Sequence, residues 1–68
     1  MNIREEIKVG IARRGTTLKK VCEELSIRKK KHYSYNNLSN KLRNGTVKFS
    51  EVEEILSILN YKITITDV

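Results

Sequence analysis

"TLKKVCEELSIRKKKHYSYNNLSNKLRNG", residues 17–45, decides the fold. Leu18, Val21, Cys22 and Leu25 follow one another at steps of three, one and three, which lines them along one face of a short amphipathic helix. Thr16 or Thr17 is its expected cap. After Ile27 the apolar period stops, and "RKKKHY" at 28–33 reads as a loop of four basic residues and two rings. Ser34 is then placed to cap a third helix that turns Tyr35, Leu38 and Leu42 inward and ends at Gly45.

The flanking segments repeat the helical pattern. In "NIREEIKVGIARRG", 2–15, Ile3, Ile7 and Ile11 share a face. Asn2 is the candidate cap, Glu5 and Glu6 fall in the first turn, and Arg13 and Arg14 in the last, so both ends suit the helix dipole. Gly10 weakens this interior and allows a close crossing. Beyond Gly45, Val47 and Phe49 are expected to anchor a link to the core. Ser50 with Glu53 reads as a capping box opening a fourth helix, with Val52, Ile55, Leu56 and Leu59 on one side.

The end of the chain changes period. Tyr61, Ile63 and Ile65 alternate with Lys62, Thr64 and Thr66, so residues 61–66 are predicted as a half-buried strand. A single strand needs an edge to pair with. The candidates are a short strand near Val47–Phe49 or the same strand of a second copy, and the second predicts a homodimer. Residues 1–68 are thus expected to form one mainly α domain of four short helices with a C-terminal strand.

Charge narrows the function. The chain carries +6 overall, but the distribution is uneven. Residues 1–24 are net +2, residues 25–48 hold seven basic and no acidic side chains, and residues 49–68 are net −3. Such a block concentrates a positive field on one part of a small molecule and predicts a polyanionic partner. The single cysteine, Cys22, has no partner for a disulfide and no metal-ligand spacing, and its apolar neighbours predict a buried structural thiol. With one histidine and no aspartate before Asp67, no nucleophile, base and orienting acid assemble, so no enzyme, metal or cofactor is expected. No apolar run approaches a membrane span, and the charged N-terminus does not resemble a signal peptide. The expected setting is cytoplasmic.

Two short helices, the later one turning out Asn36, Asn37, Asn40, Lys41 and Asn44, form a helix-turn-helix arrangement. Asparagine pairs a donor with an acceptor and matches the N6 and N7 edge of adenine, while lysine and arginine neutralise phosphate. Four asparagines in nine residues weaken a helix, so a structural role alone would favour Glu, Lys or Gln.

From about Ile3 to Leu59 the order of elements resembles the lambda repressor-like, or Cro/C1-type, helix-turn-helix family. "TLKKVCEELSI" is similar to that family's second helix, with Ser26 at the usual turn glycine and Ile27 at the following apolar position. "SYNNLSNKLRNG" resembles its recognition helix, and "SEVEEILSILNY" the helix after it. The resemblance implies DNA base contacts from Ser34, Asn36, Asn37 and Asn40. Lys41, Arg43 and Asn44 would lie along the backbone. The basic loop of Arg28, Lys29, Lys30 and Lys31, with the Tyr35 hydroxyl, is expected on phosphate. This sequence departs from the family in an apparent insertion, "RKKKHY", between the two helices, and in Leu18 where glutamine often opens the second helix. The end "YKITITDV" resembles the strand by which some small repressors of the Cro kind pair, with Tyr61, Ile63 and Ile65 in the interface. The resulting expectation is a dimeric, sequence-specific DNA-binding regulator acting by operator occupancy. RNA or non-specific nucleic-acid binding, and an antitoxin-like or adaptor module, are the competing readings.

Overall fold

Local chemistry at the helix ends sets the architecture. Asn2 Oδ1 accepts from the Glu5 N–H at 3.3 Å and opens α1, Ile3–Arg14. Thr17 Oγ1 accepts from the Lys20 N–H at 3.2 Å and opens α2, Leu18–Lys29. Ser34 Oγ accepts from the Asn37 N–H at 3.1 Å and opens α3, Tyr35–Asn44. Gly15 and Gly45, at φ of 65° and 71°, end α1 and α3 in the left-handed conformation that lacks a Cβ penalty. The fourth helix, α4, runs Phe49–Ile58. These assignments come from a computed structural model that describes residues 2–67.

The predicted apolar faces converge. Ile7, Val21, Cys22, Leu25, Leu38, Leu42, Ile55 and Leu59 form one buried cluster, with Ile3, Ile11, Leu18, Tyr33, Val47 and Tyr61 packed around it. α2 lies against both α3 and α4, and α1 closes the bundle against the same two helices. Burial, and then the adjacent Glu23 carboxylate, push the Cys22 thiol up from its ordinary value, which keeps it protonated. It is a core residue, as its neighbours in the sequence imply. Gly10 provides the expected close approach: a Cβ there would stand 3.2 Å from the Tyr61 ring and 3.3 Å from a Leu59 methyl.

Several expectations are corrected. The second helix does not stop at Ile27 but continues through Lys29, and Lys30 ends it at a φ of 53°. Ser26 is therefore inside the helix rather than at the turn, and Ile27 is 71% exposed rather than tucked inward. Residues 27–29 carry no apolar period because their side chains face solvent. The fourth helix is not opened by Ser50 and Glu53. Its N-cap is Lys48, whose backbone N–H donates to Glu51 Oε1 at 3.0 Å, the carboxylate half of a capping box. Val47 packs on the core, but Phe49 is the first residue of α4 and is 65% exposed.

The predicted strand at 61–66 is absent, and no strand occurs among the described residues. Asn60, at a φ of 63°, turns the chain out of α4, and the Tyr61 N–H closes that turn on the Leu56 carbonyl at 2.7 Å. Tyr61 then packs beneath Arg14, whose guanidinium carbon is 4.4 Å from the ring centre. Beyond it the tail is exposed, Ile65 to 95%. The alternation that marks the segment is real, but a strand exists only with a paired edge, and 47–49 supplies none because Phe49 is already helical.

Candidate nucleic-acid interface

The outward surface of α3 follows from the helical period. At about 100° per residue, Asn40 lies roughly 160° around the axis from both Leu38 and Leu42, opposite the core. Asn36 and Asn44 stand one turn before and after it, and Asn37 and Arg43 flank it; all five side chains are exposed. Three of the four residues expected to touch bases, Asn36, Asn37 and Asn40, thus share one open face. The fourth, Ser34, sits at the mouth of the helix, half-buried, with its oxygen committed to the cap.

The face also has an internal bond. Arg43 Nη2 donates to Asn40 Oδ1 at 2.6 Å. Lys41 is turned aside: its Nζ reaches Glu51 Oε2 at 3.4 Å, across to α4. Glu51 is only 4% exposed. Burial alone would raise its pKa, but the hydrogen bonds from the Lys48 N–H and Lys41, with both lysine charges, outweigh it and hold the carboxyl below its ordinary value. Lys41 therefore ties the candidate recognition helix to α4. Tyr35, expected to turn inward with Leu38 and Leu42, instead opens α3 at its first position and is 49% exposed, outside the core cluster.

The basic segment ahead of α3 divides by position. Arg28 is drawn onto α4, donating to Ser57 Oγ at 3.1 Å and pairing with Glu54 at 3.5 Å. Lys29 is exposed in the last turn of α2. Lys30 and Lys31 are exposed on the connection itself, and the Lys31 ammonium lies 5.6 Å from the Tyr33 ring centre. The connection is shorter than the sequence suggests because α2 absorbs Arg28 and Lys29, the first two of the six residues of the apparent insertion.

Ser26 holds that connection in place. Its hydroxyl donates back to the Cys22 carbonyl at 2.8 Å and accepts from the Tyr33 N–H at 3.0 Å, so one side chain joins α2 to the residue before the α3 cap. Neither Ser26 nor Glu51 is prominent in the sequence as a positioning residue. Serine four residues after a helical carbonyl is a recognised back-bonding pattern, and Lys48 with Glu51 has capping-box spacing; those were the available signals. No helix is long and apolar enough to cross a membrane among the described residues. Comparisons with protein-family models, with curated proteins and with solved structures find no match to the chain.

Proposed function

We propose that the chain is a sequence-specific double-stranded DNA-binding protein of the helix-turn-helix, Cro/C1-like kind, a small transcriptional repressor that acts in the cytoplasm by occupying its operator. The observation that carries this reading is the exposed polar face of α3, centred on Asn40 and directly opposite the buried Leu38 and Leu42. A face of amide and guanidinium groups on a short helix has the size and hydrogen-bonding character to enter a major groove. Lys29, Lys30 and Lys31 precede the helix N-terminus and supply phosphate contacts there, with Tyr35 beside them. Arg28 and Lys41 are redirected from phosphate to the scaffold, since each is paired with a glutamate of α4. This is binding without catalysis, cofactor or small-molecule ligand.

The same reading includes a homodimer. A folded 7.9 kDa monomer is expected to expose roughly 4,400 Å², whereas this chain exposes 5243 Å². Part of that excess is the exposed tail at 62–67. An open groove sets exposed Val9, Phe49 and Ile63 beside Ile3, Leu56 and Tyr61, an apolar face of the kind a partner covers. A second copy of the chain, contributing its own Ile63 and Ile65, covers that face.

The test is selection from a randomised duplex pool at two salt concentrations. A recovered palindrome with half-sites about one helical turn apart supports the reading. Binding that yields no enriched site and collapses at high salt replaces it with non-specific nucleic-acid binding. Absence of binding at either salt replaces it with a protein-interaction module.

A further inference from the structure

We propose that Asn40 and Arg43 read a base pair as one donor-presenting unit, and that the base they face is guanine. This rests on the DNA-binding reading above and specifies what the centre of the α3 face recognises. An unengaged asparagine suits adenine because its oxygen accepts from N6 while its nitrogen donates to N7. In this chain the oxygen is occupied. Arg43 Nη2 donates to Asn40 Oδ1 at 2.6 Å, a short bond assisted by the guanidinium charge.

A guanidinium has only donors, so the bond also fixes which way the amide points: oxygen toward Arg43, nitrogen away. What points away from the bond is the Asn40 Nδ2 pair of N–H groups and the unused N–H groups of Arg43, all donors, while the second lone pair of the Asn40 oxygen sits on an atom already held against the guanidinium. The major-groove edge of guanine offers two acceptors, N7 and O6, and no donor. Adenine sets its N6 donor against the same surface, where the one acceptor is already shared with the guanidinium. The position of the pair makes this decisive, because Asn40 is the residue farthest from the core on the helix and both side chains are exposed.

The experiment runs the full chain and two variants through the same duplex selection, then measures affinity for duplexes that differ only at the position in question. The wild-type site should carry G at one position in each half-site, favoured over A by about thirtyfold, the middle of the range for a good base contact. Arg43→Ala frees the Asn40 oxygen, so that position should move to A while the flanking positions stay the same. Arg43→Ala also removes a positive charge and weakens all binding, so the ratio between the two duplexes is the quantity read. Asn40→Asp keeps an acceptor for Arg43 but removes the Nδ2 donor, and should reduce the G preference. Both side chains are exposed, and circular dichroism checks that the variants fold.

A wild-type site with A at the position governed by Arg43 overturns the proposal. So does an Arg43→Ala variant that loses affinity equally for both duplexes. In either case an enriched site leaves the DNA-binding reading standing. Failure to enrich any site with the wild-type chain overturns both.

Discussion

Among the described residues Glu51 is the one buried acidic side chain, and its replacement has a cost that can be worked from its contacts. Glu51→Ala removes the carboxylate that accepts from the Lys48 N–H at 3.0 Å and leaves the first turn of α4 uncapped. A lost helix cap costs about 1 kcal/mol, and a hydrogen bond to a charged group about 1.5–3 kcal/mol. Lys41 adds little, because its half-exposed ammonium returns to water. The expected loss is about 2 kcal/mol, a substantial part of the roughly 3–10 kcal/mol available to a chain of this length. It lowers the melting temperature by about 10–15 °C. The effect depends on pH in a defined direction. The folded carboxyl titrates below its ordinary value of 4.5, so its contribution is full above that value and fades as pH falls toward the lowered folded value. Glu51→Gln keeps the side-chain length without the charge, and its melting temperature should lie below wild type near neutral pH and converge with it in acid. Thermal melts followed by circular dichroism across the pH range test this. Equal stability near neutrality, or a gap that persists unchanged into strong acid, would refute the assignment of Glu51 as a charged cap.

Three further outcomes follow from other contacts. Ser26→Ala leaves the Tyr33 N–H without its acceptor and should cost about 1–2 kcal/mol in chemical denaturation; an unchanged midpoint would show that the α2–α3 connection does not depend on the hydroxyl. Gly10→Ala gains about 1 kcal/mol in helix propensity but presses a methyl onto Tyr61 and Leu59, so a net loss of about 1 kcal/mol is expected, and a stabilised variant would contradict the tight crossing. Phe49→Asp and Ile63→Asp should each convert a dimer to monomer in sedimentation, because both place a charge in the exposed apolar groove. A monomeric wild type, or dimers that survive both changes, would remove that groove from the interface.

The helices are legible in the sequence wherever their signals are local. Asn2, Thr17 and Ser34 cap through their own side chains, Gly15 and Gly45 supply left-handed exits, and the apolar period names the buried faces. The end of α2 is less legible because Lys30 takes the left-handed conformation that glycine or asparagine would have advertised. The start of α4 is similar: Lys48 caps through its backbone, so the nearby serine draws attention instead. The tail shows the limit of periodicity, since alternation identifies a segment able to pair but not whether an edge lies within reach. The asparagine face of α3 also follows from the period. Partners distant in sequence do not, which is why Arg28 and Lys41 look like free phosphate contacts until Glu54 and Glu51 are seen beside them.

The composition of α3 separates what holds the helix from what the helix is for. Asn36, Asn37, Asn40 and Asn44 together cost about 2–3 kcal/mol relative to alanine. None of that is recovered by burial, since all four side chains are exposed. Leu38 and Leu42 offset it with about 1.5–3 kcal/mol each, and the Ser34 cap adds about 1 kcal/mol. Ser26 fixes the approach to the helix from α2, and Glu51 holds its side from α4. The scaffold contacts thus lie on the inner and lateral faces or at the N-terminal end, leaving the outer amide stripe available to a ligand. Replacing Asn36 or Asn37 with alanine should therefore stabilise the fold by a few tenths of a kcal/mol while reducing discrimination among duplexes. A change that left discrimination intact would place the recognised surface elsewhere on the molecule.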